Sequence, residues 1–459
     1  MTALNRSAIA KGAITEIWPD GMPRPDIPYS PAVRAGDWLF YSGQSASDLV
    51  SGLAEEAAVP GHFPYYESAM GKQAAYLYRR VAAITEAAGA SPEQIVRVNQ
   101  WYLAGMASPD YRTGDLTVNN RRYVETKNRY FRKLSPPSTG IGVRRLLVEG
   151  ALVEADFTAR LAASGERPEP VSAPGLPKPA AGHAEGVRVG RWLFLSGDIA
   201  TDWIGNWGQP GYEGEVHALA PEARTSRLFW GDEPAARQTD YILKRLANVA
   251  EAAGTSLDHA VKAWVYLADP NDFAAVEDVW QRWFPDPGKA PARLIVPRVE
   301  IGARGCRVEI AMDLLMPEAA HLKSAVTGGW TPKSREPAAV RADDLIFFSG
   351  LMATDPAVGL AKEASLTPGL PYFGLAGKKQ MAYILEKARR ICAAAGADVR
   401  RIVKATLYFT DLNLYAGAME AWRETFADSH KPAVTAVEIG GGLWVPGCGI
   451  MADFVLYDP

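Results

Sequence analysis

One short pattern occurs three times in this chain: Gly-Asp-Trp-Leu-Phe-Tyr-Ser-Gly at 36–43, Gly-Arg-Trp-Leu-Phe-Leu-Ser-Gly at 190–197 and Asp-Asp-Leu-Ile-Phe-Phe-Ser-Gly at 343–350. The Ser-Gly pairs fall at Ser42-Gly43, Ser196-Gly197 and Ser349-Gly350, at intervals of 154 and 153 residues. Solenoid repeats have periods of about 20–50 residues, so a spacing this long marks a repeated domain. Three covalently joined copies are expected, over 1–165, 170–318 and 325–459. The length agrees, because 459 residues exceed what one hydrophobic core serves. Each copy is free to diverge, so the three need not keep equivalent chemistry.

The copies share an order of elements. Short runs rich in aromatic and branched residues surround each Ser-Gly and read as strands. A polar loop leads to an amphipathic helix that stops at a glycine: Lys72–Ala88 before Gly89, Ala235–Ala253 before Gly254, Lys379–Ala395 before Gly396. In the third helix Met381, Ile384, Leu385, Ala388, Ile391 and Cys392 fall on one face; Ile242, Leu246, Val249, Ala250 and Ala253 do so in the second. The glycines suit a left-handed residue just past each helix.

Strands Ile95–Leu103, Ala260–Leu267 and Ile402–Phe409 follow, then a helix ending near Phe131, Phe284 or Phe426, then extended segments at 149–158, 306–315 and 448–457. The expected fold is an α+β layered domain with helices on one sheet face. Pro/Ala/Gly-rich stretches at 163–182 and 317–337 read as linkers. The bare sheet faces need cover, and three copies can bury theirs around a pseudo-threefold axis. Such an intramolecular pseudo-trimer places clefts at the domain interfaces.

A net charge of −3 gives no general attraction to nucleic acid or to an anionic membrane. No window approaches the ~20 apolar residues of a membrane span. The start, Met1-Thr2-Ala3-Leu4-Asn5-Arg6, lacks an apolar signal core, and Cys306, Cys392 and Cys448 form no CxxC pair. A reducing, cytoplasmic setting is expected. Six scattered histidines predict independence of metal, and no cofactor is implied.

The first copy opens with Ile27-Pro28-Tyr29-Ser30-Pro31-Ala32-Val33, followed by Trp38-Leu39-Phe40-Tyr41-Ser42-Gly43-Gln44. The second holds Gln238, Ala252-Ala253-Gly254, Val261-Lys262-Ala263-Trp264-Val265-Tyr266-Leu267, Pro291-Ala292-Arg293 and Val308-Glu309-Ile310. The third repeats Gln380, Ala394-Ala395-Gly396 and Val403-Lys404-Ala405-Thr406. These residues resemble the reactive-intermediate deaminase (RidA) family over nearly the whole chain. The resemblance implies a chorismate-mutase-like fold and sites between adjacent units, here a family homotrimer fused into one polypeptide. It also implies hydrolysis of enamines and imines to ketoacids and ammonia.

In that family the arginine of Pro-Ala-Arg grips the substrate carboxylate, which makes Arg293 the candidate anchor. Its fork pairs bidentately with a planar carboxylate; otherwise it is a surface arginine worth little. Ser138 and Val434 stand at the matching positions. The family's acid on the closing strand is matched to Asp156 and Asp453, with Ala311 in the second copy. A half-buried carboxyl there would donate a proton, or else be a satisfied structural aspartate. Tyr29 matches the family tyrosine; His183 and Glu336 share its offset from the Ser-Gly. His183 either titrates near neutrality as acid or base, or is a hydrogen-bonded loop residue; Glu336 is expected to be solvated. Ser42-Gly43, Ser196-Gly197 and Ser349-Gly350 are expected at the pocket wall, without a nucleophilic serine. Cys306 and Cys448 read as structural.

Aromatics Trp203, Trp207, Tyr212, Phe229 and Trp230 fill the second copy's loops, whereas the first and third share Pro60-Gly61-His62-Phe63-Pro64-Tyr65 and Pro368-Gly369-Leu370-Pro371-Tyr372. These loops are candidates for specificity or for covering core. The leading expectation is a deaminase acting on a small carboxylate-bearing unsaturated amine at one or two of three clefts. A chorismatase-like hydrolase or lyase acting on a cyclic carboxylate, and a non-catalytic ligand-binding protein with degenerate sites, stay open, as does further self-association of the pseudo-trimer.

Overall fold

Each copy in the computed structural model builds its sheet in one strand order. The structure describes residues 12–64, 66–104, 120–161, 166–176, 179, 181–202, 219–225, 233–303, 305–328, 336–367, 369–370 and 372–459. A leading strand (Ile14–Ile17, Glu169–Val171, Lys323–Val326) pairs with a hairpin, then come the closing, central and edge strands. The closing strands are Val153–Arg160, Val308–Leu315 and Ile450–Tyr457; the central ones are Ile95–Leu103, Ala260–Leu267 and Ile402–Phe409. Edge strands Ser138–Val143, Ala292–Val296 and Ala433–Glu438 run parallel to the central ones, and the other pairings of these strands are antiparallel. Central strand Ile402–Phe409 is buried throughout, as an almost unbroken apolar run requires.

The first helices are Ala69–Ala87, Pro234–Ala252 and Ala376–Ala394, and the second are Arg121–Tyr130, Phe273–Trp283 and Tyr415–Thr425. Gly89, Gly254 and Gly396 take φ of 68°, 86° and 70°, the left-handed turn expected just past each first helix. The stretches expected as linkers carry structure instead. Glu169–Val171 and Lys323–Val326 are the leading strands of the second and third sheets, and Pro317–Leu322 is a 3₁₀ turn. Leading strands of three or four residues leave too little alternation for a sequence pattern to show them.

Helices cover one face of each sheet, giving each copy its own core. The other faces meet one another. Trp38, Phe40, Trp192, Phe194, Leu345 and Phe347 bury together at one end of a common interior. Trp101, Tyr266, Leu294, Tyr408 and Val437 do so at the other. Trp38 and Trp192, from different copies, meet edge to face at 5.1 Å. The sheet edges also touch: Val437 of the third copy pairs with Leu146 of the first, and Gly142 with Glu300 of the second.

Between these two apolar ends lies a charged layer. Arg97 pairs with Asp313, Lys262 with Asp453 at 2.5 Å, and Lys404 with Asp156 at 2.7 Å. Each cation stands at the same place in its central strand, and each acid belongs to the next copy, so the pairs close a ring: first to second, second to third, third to first. Further hydrogen bonds satisfy the acids: Trp264 Nε1 donates to Asp453, and Thr435 Oγ1 and Asn99 Nδ2 donate to Asp156. A buried pair stabilises little in itself, but removing one partner strands a charge in apolar surroundings. Asp453→Leu is therefore expected to destabilise the protein by about 3–5 kcal/mol in urea unfolding. The double variant Lys262→Met/Asp453→Leu recovers most of that loss.

Candidate functional site

The clefts form where the Ser-Gly of one copy meets the edge strand of the copy before it. Three equivalent serines fasten that junction. Ser42 Oγ accepts the Val434 N–H at 2.8 Å, Ser196 Oγ that of Ser138 at 3.0 Å, and Ser349 Oγ that of Arg293 at 3.0 Å. Each hydroxyl donates in turn to a carbonyl of its own copy, at Ser30, Ala184 or Pro337. Both capacities of each hydroxyl are committed, which is a joining role. The following glycine leaves room for a carboxylate: a methyl at Gly43 would collide with Glu154 Oε1, and one at Gly197 with Glu309 Oε1.

The third–first cleft holds a cavity of about 50 Å³ lined by Tyr29, Gly43, Gln44, Arg80, Glu154 and Val434, among others. Burial, and then the neighbouring Asp156 charge, push the Glu154 carboxyl up to about 8. Burial, and then Glu154, push the Tyr29 phenol up to about 12. At neutral pH this pocket therefore presents a carboxylic acid and an un-ionised phenol. Ile27, Leu49, Leu147 and Val148 make its apolar wall.

The first–second cleft has Glu309, also pushed up to about 8 by burial, accepting the Gly140 N–H at 3.3 Å. Gln100 Nε2 bonds Ser138, the residue in the arginine's place. Burial and the Lys127 charge push His183 down to about 3, so its ring is neutral at pH 7 and does not titrate near neutrality. Lys127 is itself held down to about 8 by burial.

In the second–third cleft the Arg293 side chain is fully buried and stacks 4.6 Å over Trp280. Its Nη2 bonds Glu277 at 2.6 Å and Glu336 at 2.9 Å. Glu336, expected to be solvated, is instead a buried cross-copy partner of this arginine. Two carboxylates thus already hold this guanidinium through Nη2, while its Nε and Nη1 are buried without a hydrogen-bond partner. Met451 stands where Glu154 and Glu309 stand in the other copies, and Gly350 faces Leu294 and Met451.

The structure thus brings Tyr29, Ser42 and Gly43 into one cleft, Ser196 and Gly197 into a second, with His183 one residue before the Ala184 carbonyl that Ser196 Oγ bonds, and Arg293, Ser349 and Gly350 into the third. It does not bring Asp156 and Asp453 to a cleft wall as proton donors, because both are committed to Lys404 and Lys262 in the axial ring. The cleft-facing acids are Glu154 and Glu309, two residues earlier in register. Alternate residues share a sheet face, so Glu154 and Asp156 point the same way and pattern alone does not separate them. The room left by Gly43 and Gly197 is the structural signal that does. Trp203, Trp207, Tyr212, Phe229, Trp230, Tyr65, Pro368 and Pro371 lie outside the described residues. Cys306, Cys392 and Cys448 are buried and in no disulfide; burial pushes the Cys448 thiol up to about 11. Among the described residues no helix is long and apolar enough to cross a membrane.

A family model described as Endoribonuclease L-PSP matches residues 21–161, 174–314 and 335–441. A RutC family protein of Pyrococcus horikoshii is 30% identical over 120 residues, which span 26% of this chain and 76% of that protein. A protein of Dermatophagoides farinae named 2-iminobutanoate/2-iminopropanoate deaminase is 27% identical over 140 residues, 30% of this chain and 90% of that one. Among solved structures, RidA from an Antarctic Psychrobacter is 25% identical and covers 32% of this chain and 99% of its own, with a TM-score of 0.24.

Glu154 and Glu309 both keep their protons in the folded state to about pH 8, against an ordinary value of 4.5. Between those limits the unfolded chain has released protons that the folded one retains. Stability then falls as pH rises, by about 1.4 kcal/mol per pH unit for each such group, and levels off above about pH 8. Urea unfolding at several pH values checks this; Glu154→Gln is expected to roughly halve the slope, Glu309 supplying the rest.

Proposed function

As a member of the endoribonuclease L-PSP (RidA) family with three fused copies, the chain, we propose, hydrolyses a small carboxylate-bearing imine or enamine, and does so in the third–first cleft. The observation that carries this reading is Glu154, a protonated carboxylic acid at neutral pH beside Tyr29 and Gly43 in a cavity. An enamine first tautomerises to the imine, its carbon gaining a proton from water as its nitrogen loses one to water. Glu154 then gives its proton to the C=N nitrogen while water adds to the carbon, and the resulting carboxylate takes up the water's proton. The carbinolamine collapses to a carbonyl and ammonia, so C=NH and H₂O leave as C=O and NH₃. Ile27, Leu49, Leu147 and Val148 suit a short aliphatic side chain.

Support comes also from the relative named as a 2-iminobutanoate/2-iminopropanoate deaminase. The other clefts fit this chemistry less well. One lacks the closing-strand glutamate, and the other has Gln100 bonded to Ser138 at the anchor position.

Imines generated in situ by an amino-acid oxidase provide the assay, with ammonia release as the readout. Wild type is expected to accelerate release, with activity declining above about pH 8 as Glu154 loses its proton. Glu154→Gln is expected to lower kcat by roughly 100-fold or more, the scale of a general acid's contribution. A fully active Glu154→Gln variant contradicts the role.

A further inference from the structure

A carboxylate-bearing substrate needs a cation, and in the third–first cleft the family's position for one is Val434, which is apolar and buried. Another cation lines this cavity. Arg80 lies on the first helix, seven residues after Gln73, as Arg245 lies after Gln238 and Lys387 after Gln380. The three cations are equivalent in place but not in surroundings. Arg245 Nε bonds Asp198 Oδ2 at 2.7 Å, a direct ion pair with little exposure. Lys387 donates to the Met352 carbonyl at 3.0 Å and to Thr354 Oγ1 at 2.9 Å.

Asp198 directly follows its Ser-Gly, and in the first copy that position is Gln44. The exchange removes the counter-charge from beside Arg80. Its Nη1 donates to the Ser47 carbonyl, its Nε is buried with no hydrogen-bond partner, and among the described residues no carboxylate forms an ion pair with it. Asp48, the nearest acid in sequence on this loop, acts on Arg80 through its charge but makes no direct pair with it, its oxygens accepting from Val50 N, Ser51 N and Ser51 Oγ. Gln44 bonds the Pro31 and Ser42 carbonyls through Nε2 and also lines the cavity. The charge pattern is the reverse of that at Arg293, where two carboxylates hold one guanidinium.

We infer that Arg80 anchors the substrate carboxylate in the third–first cleft, taking over from the arginine that this cleft lacks. The inference rests on the reading of this cleft as the working site. An anion there supplies the charge that Gln44 does not, and Arg80 has a donor free to meet it. The arrangement selects 2-imino and 2-oxo acids over neutral ketones and amines.

Calorimetric titration of the full chain with 2-oxobutanoate tests this, with 2-butanone as the uncharged counterpart. Wild type is expected to bind the acid and not the ketone. Arg80→Met is expected to weaken acid binding by roughly 10- to 100-fold, the effect of losing hydrogen bonds to a charged group. Gln44→Asp keeps the arginine but installs the counter-charge seen at Asp198, and is expected to weaken binding likewise; Arg80→Lys retains part of it. Thermal unfolding of each variant establishes that it is folded. Undiminished binding by folded Arg80→Met or Gln44→Asp, or wild type failing to prefer the acid, overturns the assignment. Ammonia release separates this from the hydrolytic reading. Arg80-dependent binding without turnover leaves the anchor and removes the hydrolase, whereas unchanged turnover by Arg80→Met does the opposite.

Discussion

Three sheets each covered by helices on one face must hide the other face, and in this chain they hide it in one another. Everything else follows from that mutual burial. It produces the shared apolar ends around Trp38, Trp192 and Phe347 and around Trp101, Tyr266 and Tyr408. It also forces a charged layer to be satisfied across copies. A cation on each central strand finds its acid only on the next copy, so the ring of Arg97–Asp313, Lys262–Asp453 and Lys404–Asp156 closes only when all three are assembled. The serine hydroxyls that join each Ser-Gly to the preceding edge strand repeat the same dependence at the rim.

Fusion allows these shared requirements to be met differently at each junction. The second copy has Ala311 where the others have Asp156 and Asp453, and it carries Asp313 two residues later. That shift serves the arginine at position 97 in place of lysine, whose guanidinium also bonds the Leu195 and Met312 carbonyls. Read as catalytic residues, the acids look unevenly lost; read as axial partners, all three are present. The clefts differ in charge for a similar reason. Glu277 and Glu336 neutralise Arg293, whereas with Gln44 in place of an aspartate Arg80 makes no carboxylate ion pair among the described residues. Two arginines at neighbouring junctions thus have opposite surroundings, one held by two carboxylates and one facing a cavity.

Much of the fold was legible in the chain. The long period gives three copies, the glycines at 89, 254 and 396 mark helix ends, and one-sided helices demand cover for the bare sheet faces. What escaped was whatever depended on another copy. Glu336 reads as a surface residue because its partner Arg293 belongs to the preceding copy. Asp156 reads as a cleft acid because Glu154 and Asp156 share one strand face. Only the neighbouring sheet decides which of them meets a lysine and which a pocket. Arg80 carries no motif at all, and its meaning appears only beside Arg245 and its partner Asp198.

The central claim is that fusion has left one of three junctions suited to a small carboxylate. A crystal structure of the full chain with a small 2-oxo acid at saturating concentration tests it most directly. The account predicts density for the acid in the third–first cleft, its carboxylate on Arg80 and its carbonyl near Glu154, with Glu277 and Glu336 still on Arg293. Density at Arg293 with Glu336 displaced, or equal occupation of all three clefts, would contradict it.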